Sequence, residues 1–191
     1  MRVIAGSAGG TRLYGAKGHH VRPVLDRVKE SLFELIGDHL EGAEVLDLFA
    51  GVGNLGIEAL SRGASHAEFI EQHRPTARAI AANLERAHLS GKAAVHARRL
   101  PRGLAAAHGP YSLIFVDPPF RIEKRLMDSL FRLIRGRGLL DPGGVLVYRH
   151  SPHSHFEPPG DEWFLSERRD YGDSIISFYE LNRKAEGARR T

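Results

Sequence analysis

The spacing of apolar residues changes along the chain, and each change marks an element. Residues 44–50 (EVLDLFA) form an apolar run of strand length, followed by a Gly-rich turn and a helix to about residue 62. AEFIE, from Ala67, predicts a second strand. Residues 76–89 predict an amphipathic helix, with Ile80 and Leu84 on one face. KAAVHA predicts a weaker third strand, and YSLIFVD, from Tyr111, a fourth that runs into a Pro-Pro pair. Residues 122–134 predict a helix with Leu126, Leu130, Leu133 and Ile134 inward. GVLVYRH predicts a fifth strand after an Asp141-Pro142-Gly143 turn. Residues 163–168 and 175–181 predict a closing pair, the second alternating as an antiparallel strand does.

The first forty residues follow a different rule. Residues 2–13 read as a strand, a Gly9-Gly10 turn and a second strand, and residues 14–20 as a polar, Gly-rich loop. From Asp26, Val28, Leu32, Leu35 and Ile36 recur at helical spacing up to Gly37, the expected C-cap. The chain therefore divides into an N-terminal hairpin-and-helix extension over 1–40, an RNA-facing element in this reading. An α/β domain spans 41–182 and a polar tail 183–191. Repeated strand–helix alternation predicts a Rossmann-like, mostly parallel sheet covered on both faces, with right-handed crossovers and a final antiparallel strand. Ligands of such sheets sit at the carboxyl ends of strands. The two most unusual sequences follow strands one and four, and so fall on one rim.

Composition narrows the chemistry. The 191 residues carry no cysteine, which excludes disulfides, thiolate metal sites and a cysteine nucleophile. Hydrophobic residues make up 42% and charged residues 26%, enough for a real core. A net charge of +4 suits a polyanionic partner. The N-terminus lacks the apolar run of a secretory signal, and no stretch of about 18 apolar residues spans a membrane. The expectation is a cytoplasmic protein without a membrane partner.

VLDLFAGVGNLGIEAL contains Gly51-x-Gly53-x-x-Gly56, and Glu71 stands 20 residues beyond Gly51 at the end of the second strand. Alone, this is the dinucleotide pattern of a nicotinamide enzyme. A carboxylate at Glu71 accepts hydrogen bonds from the ribose of any adenosine ligand. Asp47 tilts the reading: a pyrophosphate is repelled by an acid there, whereas the ammonium and sulfonium of S-adenosylmethionine are attracted. The candidate cofactor residues are Asp47, Phe49, Ala50, Gly51, Gly53, Asn54, Glu71 and Gln72. A tight strand-to-helix turn without a ligand is the plain alternative.

The second rim motif is Asp117-Pro118-Pro119-Phe120. An exocyclic amine of a nucleobase is a poor nucleophile because its lone pair is delocalised into the ring. Activating it requires acceptors for both N–H groups. Asp117 offers a carboxylate and Pro118 a carbonyl, held rigid because the two prolines fix φ. Phe120 offers a stacking surface for the base, worth about 1–3 kcal/mol. The alternative is a proline-stiffened turn that ends a strand.

VLDLFAGVGNLGIEALSRGA, FIEQ, LIFVDPPF and the upstream RPVLDRVKESLF together resemble the RsmD-type 16S rRNA guanine-N2 methyltransferases of bacteria, over most of the chain. The resemblance implies a seven-stranded class I methyltransferase fold with S-adenosylmethionine as donor. It also implies 16S rRNA or the assembling small ribosomal subunit as partner, and guanine N2 (position 966 in standard rRNA numbering) as target. Three positions depart from the family pattern. Val24 and Leu25 replace the usual hydroxyl residues after Arg-Pro. Ala97-Arg98-Arg99-Leu100 lacks the usual acid or amide beside the adenine. Tyr148-Arg149-His150 stands where a glutamate often closes strand five.

Arg2, Arg12, Arg22, Arg27 and Arg121 are the candidate RNA contacts, with a solvated basic face as the alternative. His150, His153 and His155 are too loosely spaced, and too poor in further ligands, for a metal to be expected. Competing functions are a DNA or RNA adenine-N6 methyltransferase, a non-catalytic RNA-binding assembly factor, and a nicotinamide oxidoreductase.

Overall fold

The computed structural model describes residues 1–16, 25–154 and 156–182. Its strands are β1 (Glu44–Leu48), β2 (His66–Glu71), β3 (Ala93–Ala97), β4 (Tyr111–Val116), β5 (Leu140–His150), β6 (Trp163–Asp170) and β7 (Ile175–Leu181). Its α-helices are α1 (Asp26–Leu35), α2 (Asn54–Ser61), α3 (Arg74–Arg86) and α4 (Lys124–Gly136). The strands form one sheet in the order β3-β2-β1-β4-β5-β7-β6. β1 to β5 run parallel, and β7 is antiparallel to both of its neighbours. This is the Rossmann-like, seven-stranded methyltransferase fold expected from the sequence. No helix among the described residues is long and apolar enough to cross a membrane.

Alternation along the central strands divides the core in two. Val45, Leu113, Phe115 and Val147 point to one face, where they meet Val28, Leu32, Phe33, Ile57 and Ile80 from the first three helices. Leu46, Leu48, Ile114, Val116 and Leu146 point to the other, against Met127, Leu130, Phe131 and Ile134 of α4. Both faces are covered, so the strands read as near-continuous apolar runs. Helix α1 belongs to the first core, with the Phe33 and Phe115 rings 5.8 Å apart.

Four local expectations are corrected. The N-terminal hairpin is reduced to one antiparallel bridge, Arg2 to Arg12. Three backbone bonds close it, from the Val3 amide to the Thr11 carbonyl, the Gly10 amide to the Val3 carbonyl and the Leu13 amide to the Met1 carbonyl (each 2.9 Å), and other amides turn to α2. The Ser7 amide donates to the Ser61 carbonyl (2.7 Å), the Ala8 amide to Ser61 Oγ (2.9 Å), and the Ile4 and Ala5 amides to Glu58 (2.7 and 3.1 Å). The segment thus closes on itself as a short, irregular hairpin and is also moulded onto α2. Gly37 is not a left-handed C-cap: Ile36 ends α1, and a 3-10 turn, Gly37–His39, continues the chain. In α4 Leu130 and Ile134 face inward as expected, but Met127 and Phe131 join them in place of Leu126 and Leu133, and Leu133 is exposed, because the face turned to the sheet is rotated about the helix axis. Phe131 packs edge-on against Tyr148, Trp163 and Tyr179, which places Trp163 in the core as an aromatic partner. Finally, β5 begins before the Asp141-Pro142-Gly143 turn, and absorbs it as an irregularity in its register with β4.

Candidate active site

β1 and β4 are neighbours, with Leu48 paired to Val116, so the segments that leave their carboxyl ends emerge side by side. Both open onto one cleft of about 1320 Å³. That exceeds the usual range for a single small ligand, roughly 300–1,000 Å³, and leaves room for a donor and an acceptor together. Asp47, Phe49, Ala50, Gly51, Asn54, Glu71 and Gln72 line it from one side, and Asp117, Pro118, Pro119 and Phe120 from the other. Gly53 does not line the cleft. It takes φ +81° ahead of α2, where a Cβ would be strained, and shapes the turn from behind.

The turn is held by carboxylates. The Gly51 amide donates to Glu71 Oε2 (3.0 Å) and the His73 amide to Glu71 Oε1 (2.7 Å). The Gly56 amide donates to Asp47 Oδ2 (2.9 Å). Gly56 is required by close approach: a Cβ there would lie 2.3 Å from the Phe69 ring. The third glycine of the motif therefore serves helix-to-sheet packing. Phe49, which is not glycine, adopts φ +59°, a strained left-handed conformation at the base of the cleft. Asp47 is 2% exposed. Burial pushes its carboxyl up to about 8; the Gly56 amide opposes the shift, and the charges of Asp117 and Glu71 add to it.

Asn54 is oriented from behind by a buried network. Lys29 Nζ donates to Asn54 Oδ1 (2.9 Å) and to the Arg2 carbonyl (2.6 Å), and pairs with Glu58 (2.9 Å). The Lys29 and Glu58 side chains are 1% and 0% exposed. An ammonium can only donate, so the amide oxygen must face Lys29 and Nδ2 must face away from it. Nδ2 is buried and has no hydrogen-bond partner among the described residues. Burial lowers the Lys29 ammonium below its ordinary range, and the Glu58 carboxylate works against that shift.

On the β4 side, Asp117 is held by Arg149 of β5. Nε donates to Oδ1 (2.7 Å) and Nη2 to Oδ2 (3.1 Å), a bidentate pair. The same guanidinium lies 5.6 Å from the centre of the Phe120 ring. Sequence reasoning did not find this contact. Its signal was the departure Tyr148-Arg149-His150, whose meaning depends on the register of β4 against β5.

The basic candidates separate. Arg121 is exposed on the cleft. Arg2 is exposed and paired with Asp26 (3.0 Å), and Arg12 and Arg27 are exposed away from the cleft lining. Arg22, with Val24, His155 and the tail from 183, lies outside the described residues. Arg98, Arg99 and Arg102 line the cleft beyond β3 and were not among the sequence candidates. The Arg98 amide donates to the Glu71 carbonyl (3.0 Å) and the Gly103 amide to the Arg99 carbonyl (2.8 Å), so this end of the cleft is backbone-built. Leu25 precedes α1 without a side-chain cap, as the missing hydroxyl predicts. His150 is buried, hydrogen-bonded to Ser177 Oγ (3.0 Å) and stacked on Tyr148. Among the described residues no group of three or more His, Cys, Asp or Glu is placed to hold a metal.

Known proteins share this layout. The family model described as "Conserved hypothetical protein 95" matches residues 1–180. YlbH of Bacillus subtilis strain 168, described as a candidate rRNA methyltransferase, is 34% identical over 94% of this chain and 98% of its own. Ribosomal RNA small subunit methyltransferase D of Escherichia coli K12 is 31% identical over 98% of this chain and 92% of its own. The solved structure of Escherichia coli yhhF, described as a candidate methyltransferase, superposes with a TM-score of 0.84 at 31% identity, covering 95% of this chain and 98% of that one. A match along nearly the whole length, with one sheet order and one rim carrying both motifs, makes this chain a member of that family, the RsmD-type methyltransferases.

Proposed function

We propose that the protein transfers a methyl group from S-adenosylmethionine to the exocyclic N2 of a guanine in 16S rRNA, position 966 in standard numbering, during cytoplasmic assembly of the small subunit. The observation that carries the reading is the shared cleft, with a nucleoside-type turn on one wall and an amine-acceptor motif on the other. The names of the full-length relatives support the rRNA substrate. The family resemblance supports N2.

The residues present fit the donor. Glu71 already accepts two amides, and a carboxylate has about four acceptor positions, which leaves capacity for ribose hydroxyls. Asn54 Nδ2, buried without a partner among the described residues, is a donor suited to a carboxylate. Asp47 lines the same wall, and a carboxylate there suits a cation. When bound, the donor supplies an electrophilic methyl carbon, whose bond to sulfur breaks with the electron pair staying on sulfur as the bond to nitrogen forms. Asp117 accepts one N–H of the target amine and the Pro118 carbonyl the other, so the nitrogen lone pair is directed at the methyl. Phe120 holds the base by stacking. After transfer one proton leaves the nitrogen for water. Alignment supplies much of the acceleration in such a displacement.

Asp47 makes cofactor binding pH-dependent. Its carboxyl is raised from 3.8 to about 8, so the folded protein holds this proton more tightly than the unfolded chain. The stability it contributes is complete below the unfolded value and is lost as pH rises through the folded one. A cationic ligand favours the ionised form, so binding below about pH 8 releases a proton. Affinity for S-adenosylmethionine is expected to rise by up to about tenfold per unit between roughly pH 6 and pH 8 and then level. Titration calorimetry in buffers of different ionisation enthalpy reads the proton directly. A flat profile with no proton release contradicts a role for Asp47 at the cation, and Asp47→Asn is expected to give that flat profile.

The function is tested by labelled-methyl transfer to naked 16S rRNA, to small subunits and to DNA, with digestion of the product to nucleosides. N2-methylguanosine from either rRNA substrate is the expected result. N6-methyladenine in any acceptor supports the second reading and rejects this one. Retained cofactor binding with no transfer to any acceptor turns the protein into a non-catalytic assembly factor.

A further inference from the structure

We infer that Arg149 is a positioning residue of the methyl-transfer site: it fixes the plane of the Asp117 carboxylate and so the direction in which Asp117 receives the target amine. The inference rests on the reading of Asp117 as the amine acceptor.

The argument begins with register. β4 and β5 are parallel, with Val116 opposite Tyr148, so the next residues, Asp117 and Arg149, face each other across the end of the sheet. Arg149 leaves a strand whose preceding residues are fully buried, and it is itself only 7% exposed. A guanidinium tethered there has little freedom. It meets Asp117 through Nε and Nη2, one bond to each oxygen, at 2.7 and 3.1 Å. Two parallel bonds to a planar fork lock rotation of the carboxylate, which a single bond does not. Lysine, a point charge, cannot do the same.

The pair is not a surface ornament. The two side chains are 9% and 17% exposed, and both residues line the cleft. A carboxylate has about four acceptor positions, and the fork occupies one on each oxygen, which restricts where an N–H of the target amine can be received. Where that N–H can approach is then dictated by Arg149. The same guanidinium lies over the Phe120 ring, so one side chain braces both the acceptor of the amine and the platform proposed for the base. A displacement of about 1 Å at such a site costs up to roughly 10²-fold in rate. The pair also leaves the acceptor wall locally neutral, so the donor's positive charge meets no bare guanidinium beside Asp117.

The test compares the wild type with Arg149→Met, Arg149→Lys and Arg149→Ala, using small subunits as acceptor. Arg149→Met keeps the volume and is expected to lower kcat about 10- to 100-fold, with KM for the acceptor and affinity for S-adenosylmethionine changed far less. Arg149→Lys restores charge without the fork and is expected to recover only a minor part. Arg149→Ala leaves a gap, and guanidinium ion added well below unfolding concentrations is expected to raise its kcat in a saturable way. Methylammonium is expected not to. A merely structural role would shift the melting temperature and would show no such rescue. An unchanged kcat in Arg149→Met, a rise in kcat, or full recovery by lysine overturns the inference while leaving the proposed function standing. A wild type that methylates no acceptor overturns both.

Discussion

Asp117→Asn is expected to lower methyl transfer by about 10²- to 10³-fold, the loss seen when one preorganised hydrogen-bonding group is removed from a reacting centre. The change keeps shape and volume, so packing of the β4 end is preserved. It leaves a single carbonyl acceptor where two oxygens now serve, and turns an NH₂ toward either Arg149 or the incoming amine. Donor then meets donor at one of the two positions. The wall proposed for the cofactor is built by β1, the start of α2 and β2, through Asp47, Asn54 and Glu71, and the substitution removes none of those groups. Affinity for S-adenosylmethionine is therefore expected to change by much less than the rate, and Asp117→Ala is expected to follow the same division. Single-turnover kinetics beside a binding titration separates the two. A loss of cofactor binding as large as the loss of rate contradicts the role given to Asp117.

The second large effect is on stability. Lys29→Met removes one partner of an ion pair in which neither side chain is more than 1% exposed. Breaking such a pair costs about 3–5 kcal/mol, because the remaining charge is stranded. Arg62 stays bonded to Glu58 at 2.8 Å and holds the loss toward the lower end. Lys29→Met with Glu58→Gln is expected to cost less than the sum of the two single changes, since the only charge the double variant leaves without this carboxylate is that of the partly exposed Arg62. Urea unfolding of the four proteins gives the coupling. Additive losses indicate that the two groups do not sense each other. Lys29 also bonds the Arg2 carbonyl and Asn54 Oδ1, so the same substitution is expected to loosen the N-terminal segment and to weaken cofactor binding, read by hydrogen exchange at residues 2–5 and by calorimetry.

The parts of this molecule that were legible beforehand are those governed by local pattern. Residues such as Val45 and Leu46 alternate between two buried faces, so β1 and its parallel partners appear as apolar runs whatever the tertiary detail. The glycines and Asp117-Pro118-Pro119-Phe120 declare themselves because their backbone and side-chain chemistry is unusual at those positions. What escaped depends on partners distant in sequence. The hairpin over 2–13 pairs with itself as expected, but nothing in its own sequence shows that Glu58 and Ser61 on α2 also capture the amides of residues 4, 5, 7 and 8. Leu133 and Phe131 are both apolar in α4, and only the sheet decides which faces inward. Arg149 was seen as an unexplained departure, because its target is set by the offset between β4 and β5 and not by anything near it in the chain. The Asn54 amide was placed in the cofactor site, but its orientation is dictated by Lys29, 25 residues earlier.

Three of the molecule's local discomforts share one rim. Phe49 holds a backbone conformation that disfavours a side chain, Asp47 is a carboxyl removed from water, and Asn54 Nδ2 is buried without a partner among the described residues. Each is a position where a blander residue would make the empty protein more robust. Attempts to raise thermostability by relaxing these sites would select against the ligand in the same stroke. The heat tolerance of this enzyme is better sought on the far side of the sheet, in α4 and the outer strands, where Arg135 Nε and Trp163 Nε1 are buried without a partner among the described residues yet line no part of the cleft.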